Sequence, residues 1–167
     1  MDPKLTEFAA RLGEVLSVRN WALATAESCT GGGLAAAVTS AAGSSGWFEC
    51  GFVTYSNESK VELLGVSPAT LARHGAVSEE TALEMAAGAL ARSHADIVAA
   101  ITGIAGPDGG GPGKPVGIVC LAWQQRHSDV LVETRHFSGD REAVRRQAAL
   151  AALERLIALA ANEAGDG

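Results

Sequence analysis

Apolar residues recur at Leu5, Phe8, Leu12, Val15 and Leu16, a helical period that predicts a helix over Pro3–Arg19 with Asp2 or Thr6 at its start. WALATAES (21–28) predicts a short buried strand running into a turn, and GGGLAAAVTSAA (31–42) an alanine-rich helix. GSSG (43–46) ends that helix. WFECGFVTYS (47–56) is dense in aromatic and β-branched residues and predicts a second strand. Asn57 is then placed to cap a short helix through Lys60 to Leu64, and Ser67-Pro68 and Ser78 start two more. ADIVAAITG (95–103) is an unbroken apolar run bounded by glycine, as a central strand covered on both faces requires. A glycine-rich loop (103–113) leads to two further strands, 115–123 and 130–137, joined by the polar link QQRHSD as an antiparallel pair. Ser138 or Asp140 caps a last helix from Arg141 to about Ala161, and the tail NEAGDG (162–167) is expected to fray.

Helices alternating with strands early, then a late hairpin, predict a three-layer α/β/α sandwich around a mixed, mostly parallel sheet of about five strands. No repeat or linker divides the chain, so 1–167 is read as a single domain. In such folds, ligands bind beyond the carboxyl ends of the parallel strands. Three polar, glycine-rich segments fall there: 25–33, 54–60 and 102–117.

Composition narrows the classes. The 167 residues carry 13 Lys and Arg against 19 Asp and Glu, a formal charge of −6, which argues against a general nucleic-acid binder needing a basic face. No apolar run approaches the ~20 residues that span a bilayer, and the amino terminus lacks a leader pattern, so a cytoplasmic protein with no membrane partner is expected. The three cysteines, Cys29, Cys50 and Cys120, show no disulfide framework or zinc spacing. Nor do His74, His94, His127 and His136 form a metal-ligand pattern.

The candidate chemistry lies in four segments. In TAESCTGGG (25–33), glycines open a helix whose unpaired amides can cradle a phosphate or oxyanion, or simply form a capped helix packed on the sheet. In GSSGWFECGFVTYSNESK (43–60), serine, Tyr55 and Lys60 supply the parts of a metal-free Ser–Lys amidohydrolase centre. A serine hydroxyl needs a base to become a nucleophile, and a lysine serves once burial or nearby positive charge keeps it neutral. In 102–117, Thr102 and main-chain amides can meet a ligand, with Asp108 placed for ribose hydroxyls or to orient a lysine, or the segment is simply a flexible crossover loop. In FSGDREAVRRQ (137–147), Arg141 and Arg145 share a helix face and can grip a phosphate or carboxylate, or pair with acids such as Glu142. Cys29 at a helix start is a further candidate nucleophile, and a non-catalytic nucleotide-binding module would use the same glycine loops.

TAESCTGGGLAAAVT, GSSGWFECGFVTYSNESK, HGAVSEET, ITGIAGPDGG with KPVGIV, and FSGDREAVRRQ occur in this order over roughly residues 5–155. The set resembles the CinA C-terminal domain family, specifically its stand-alone nicotinamide-nucleotide amidohydrolases. The resemblance implies the three-layer fold and hydrolysis of the carboxamide of nicotinamide mononucleotide by a serine–lysine dyad, without metal or other cofactor, in pyridine-nucleotide recycling. It matches Lys60 to the base, Tyr55 to the nearby tyrosine, and both Ser45 and Ser28 to family serines. Ser45 is favoured as nucleophile, with Ser28, Thr30, Gly31, Gly32, Thr102, Gly103, Arg141 and Arg145 as groups that hold the substrate. A homo-oligomer is compatible with the apolar helices.

Overall fold

The computed structural model describes residues 1–165. Five strands form one sheet in the order β2-β1-β3-β4-β5: β1 (Leu23–Glu27), β2 (Phe48–Val53), β3 (Ile97–Gly103), β4 (Ile118–Gln125) and β5 (Leu131–His136). β1 pairs in parallel with β2 and β3, whereas β4 is antiparallel to both β3 and β5. Four of the five strands therefore point the same way, and only β4 runs against them.

The sheet alternates its side chains between two apolar layers, as the two-residue period of a strand dictates. The pattern is simplest on β3 and β4, where Ile97, Ala99, Ile101, Val119, Leu121 and Trp123 face one layer. Val98, Ala100, Cys120 and Ala122 face the other. The first layer is closed by α1 (Pro3–Arg19), α2 (Gly33–Thr39) and α6 (Arg141–Gly165), the second chiefly by α5 (Glu79–Ala91). This is the expected three-layer sandwich, and cover on both faces explains why β3 reads as a continuous apolar run and β1 as a short buried strand.

Local signals set the element ends. Asp2 accepts from the amide of Lys4, Pro3 occupies the first turn of α1, and Asn20 closes it at φ 56°. α3 (Asn57–Leu64) is capped by Ser56, one residue before the expected Asn57, because the Ser56 hydroxyl reaches the amide of Ser59. α4 (Pro68–His74) and α5 begin after Ser67 and Ser78, as anticipated. β4 starts three residues later than the sequence suggests, after a turn at Gly117, whose φ of 96° favours glycine. α6 continues past Ala161 to Gly165, and the final residues of the tail expected to fray lie outside the described ones.

Gly88 governs how closely α5 and the end of α3 approach each other. A β-carbon there would stand 1.8 Å from the Leu64 carbonyl oxygen, so glycine lets α5 press against the end of α3. That contact seats α3, and with it Lys60.

Candidate active site

The carboxyl ends of β1, β2 and β3 open on one cavity of about 250 Å³, lined among others by Ser28, Tyr55, Lys60, Thr102, Ile104 and Arg141. The chain leaves β1 for β2 on one side and later returns to β3 on the other, and a crevice at such a switch point is what an open α/β sheet provides.

Lys60 lies in the first half of α3 but turns its side chain under the loop that follows β2, where only 1% of its surface is exposed. Its Nζ donates to the Thr54 carbonyl at 2.8 Å, the Tyr55 carbonyl at 3.3 Å and the Ser28 Oγ at 3.0 Å. Among the described residues, it has no carboxylate partner at ion-pair distance. Burial disfavours the ammonium and moves the Lys60 pKa below its ordinary 10.5. A thiolate at Cys29 would oppose this, but burial pushes the Cys29 thiol up to about 11, so it stays protonated at neutral pH. The same protonation makes Cys29 a poor nucleophile.

The turn after β1 differs from the expected anion cradle. Glu27, fully buried, accepts from the Thr30 hydroxyl at 2.6 Å, the Leu34 amide at 2.8 Å and the Ala35 amide at 3.0 Å. The amides that a phosphate would need at the start of α2 are thus taken by an internal carboxylate. Gly31 and Gly32 take φ of 57° and 100° to make the turn, and neither lines the cavity. The Thr30 hydroxyl is turned to Glu27 and away from the substrate role expected for it.

The two arginines divide. Arg141 reaches over the cavity, donating to the Gly106 carbonyl at 2.8 Å and to the Tyr55 hydroxyl at 3.0 Å. Arg145 instead braces the serine turn, donating to the carbonyls of Cys29 at 3.2 Å and Thr30 at 3.1 Å. Neither forms an ion pair among the described residues, so the expected alternative of pairing with Glu142 does not arise. Tyr55 is 61% exposed at the rim. Thr102 is buried and donates to the Ala76 carbonyl at 2.8 Å, tying the 74–78 loop to the cavity wall. Gly103 and Asp108 also line the cavity.

Ser45 is not brought to this site within the chain. It lies in the 3-10 turn Ser44–Gly46, ahead of β2, whereas Lys60 follows β2. The six residues of β2 span about 20 Å, so Ser45 belongs to the opposite end of the sheet. It is exposed there. Ser28 occupies the place beside the amine that the sequence favoured for Ser45.

Sequence reasoning missed Glu27. The signal was an acidic residue ending an otherwise apolar strand, just before a glycine turn and a helix without a side-chain cap. The histidines are scattered, and among the described residues no group of His, Cys, Asp or Glu could hold a metal ion. No described helix is long and apolar enough to cross a membrane.

Residues 5–160 match the CinA C-terminal domain, and the chain belongs to that family. It is 51% identical to the nicotinamide-nucleotide amidohydrolase PncC of Escherichia coli (strain K12), over 93% of this chain and 94% of that protein. It is 54% identical to the protein of the same name from Pseudomonas putida, over 95% of this chain and 98% of that one. Among solved structures, a competence/damage inducible protein from Agrobacterium tumefaciens superposes with a TM-score of 0.92 at 46% identity, covering 95% of this chain and 97% of that one. A CinA superfamily protein from Klebsiella pneumoniae superposes at 0.91 with 43% identity, covering 95% and 98%.

Proposed function

We propose that this chain is a nicotinamide-nucleotide amidohydrolase that converts nicotinamide mononucleotide to nicotinate mononucleotide and ammonia, with Ser28 as nucleophile and Lys60 as its base. The observation that carries this reading is the buried Lys60 amine 3.0 Å from the Ser28 hydroxyl, free of any carboxylate partner among the described residues. The relatives named nicotinamide-nucleotide amidohydrolase support a nicotinamide nucleotide as the substrate.

When Lys60 is neutral, its lone pair faces the Ser28 hydroxyl and accepts the proton as the oxygen attacks the carboxamide carbon. The new C–O bond gives a tetrahedral oxyanion. On collapse the C–N bond breaks, and the proton held by Lys60 passes to the leaving nitrogen, which departs as ammonia. Water, deprotonated by the neutral amine, then cleaves the acyl-serine ester and releases the acid. The cationic pyridinium ring favours both steps, since it draws electrons from the carboxamide and disfavours an ammonium beside it.

The cavity suits the rest of the nucleotide. Ala76, Val77 and Ile104 offer apolar contact for the ring. Arg141, bound only to neutral oxygens, keeps its charge for the phosphate. Asp108 is at hand for the ribose. Tyr55, Thr102 and Arg145 shape the cavity and the serine turn. The dyad requires no metal, and the reaction serves the recycling of pyridine nucleotides.

The test is to incubate purified protein, treated with a chelator, with nicotinamide mononucleotide and to measure ammonia and nicotinate mononucleotide. Stoichiometric release of both supports the reading, and no release above the blank ends it.

A further inference from the structure

Glu27 ends β1 immediately before Ser28, and it does not line the cavity. A fully buried carboxylate is costly unless its oxygens are satisfied. Here Oε1 takes the Thr30 hydroxyl at 2.6 Å and the Leu34 amide at 2.8 Å, while Oε2 takes the Ala35 amide at 3.0 Å. The turn that carries Ser28 is thereby tied at its far end to the first turn of α2. The main chain of Glu27 makes a second connection: its carbonyl accepts from the Thr54 amide at 2.8 Å, and the Thr54 carbonyl accepts from Lys60 Nζ at 2.8 Å. One residue thus joins the segment bearing the hydroxyl to the segment holding the amine.

We propose that Glu27 is the positioning residue of the dyad, fixing the Ser28 hydroxyl against Lys60 through its carboxylate clamp on residues 30–35. The inference rests on the amidohydrolase reading for its reaction, though not for its geometry. A carboxylate serving only to cap α2 would affect stability alone. A positioning carboxylate affects the reacting distance, and misplacement by about 1 Å costs on the order of 10²-fold in rate.

The experiment compares Glu27→Gln, Thr30→Val and Thr30→Ser with the wild type. Glu27→Gln keeps the volume but turns an amide donor toward a backbone N–H. Its kcat for nicotinamide mononucleotide should fall about 10²-fold, with KM within about threefold. Thr30→Val should lower kcat less, and Thr30→Ser, which keeps the hydroxyl, less again. In parallel, a fluorophosphonate probe reports the nucleophile directly: the Ser28 Oγ–P bond forms, fluoride leaves, and the serine proton passes to Lys60. Labelling of Ser28, located by fragmentation mass spectrometry, should slow in Glu27→Gln about as much as kcat does. A folded Glu27→Gln protein with wild-type kcat and labelling rate overturns the proposal. If Glu27→Gln does not fold, the difference between Thr30→Val and Thr30→Ser decides, and equal rates in those two overturn it. If the wild type labels at Ser28 but does not hydrolyse the nucleotide, the functional reading fails and the labelling rates alone judge the positioning role. A wild type that does not label at Ser28 overturns both.

Discussion

Two serines stand beside glycine turns, and their surroundings are opposite in kind. Ser28 follows β1 at the carboxyl end of the sheet, buried, with an amine at 3.0 Å. Ser45 precedes β2 at the amino end and is exposed. Their hydroxyls are chemically alike, so the difference is one of topology: the end of the sheet decides which serine meets the Lys60 amine. A buried amine beside one hydroxyl, held by main-chain carbonyls and not by a carboxylate, is a group prepared to exchange a proton.

Changes in the dyad itself should separate the two serines most widely. Ser28→Ala and Lys60→Met should each lower kcat by at least about 10³-fold, while Ser45→Ala stays within about threefold of wild type. The reverse pattern in steady-state ammonia release would transfer the nucleophile to Ser45. Next in size is Arg141→Ala. Losing a charge-assisted contact worth ~1.5–3 kcal/mol should raise KM for the mononucleotide by roughly 10- to 100-fold. The same change should leave KM for nicotinamide riboside, which lacks the phosphate, nearly unaltered.

A smaller effect concerns stability. The folded pKa of Lys60 lies below its unfolded value of 10.5, so the unfolded chain binds the extra proton between those two values. Wild-type stability therefore rises with pH across that window, relative to a variant without the amine. Thermal melts of Lys60→Met and wild type should differ most in the variant's favour near pH 7, and the gap should shrink toward about pH 10. A gap independent of pH would mean that burial does not perturb the amine. Smallest of all, Cys29→Ala should keep activity within about threefold, and iodoacetamide should inactivate only slowly near pH 7, because the thiol ionises near 11.

Much of the fold was legible because its signals are local. The period of α1, the serine caps of α4 and α5, the short buried strand β1 and the unbroken apolar run of β3 each arise from short stretches of chain. The site was legible in part. Lys60, Tyr55, Thr102 and Arg141 do surround one cavity. The end of the sheet that each turn reaches could not be read, since it depends on strand order and not on spacing. Ser45 is only 15 positions from Lys60 and Ser28 is 32, yet the nearer in sequence is the farther in space. The role of the glycine turn was hidden for a related reason. Its free amides suit an anion, and the anion turned out to be the protein's own Glu27, supplied by the preceding strand.

The most direct measurement is to quench the enzyme with acid during turnover of nicotinamide mononucleotide and locate the acylated residue. Both serines fall within the tryptic peptide 20–60, so the site must be assigned by fragmentation. A Ser28–Lys60 dyad predicts an acyl group on Ser28 that is absent from Lys60→Met. An acyl group on Ser45 or Cys29 instead would contradict it.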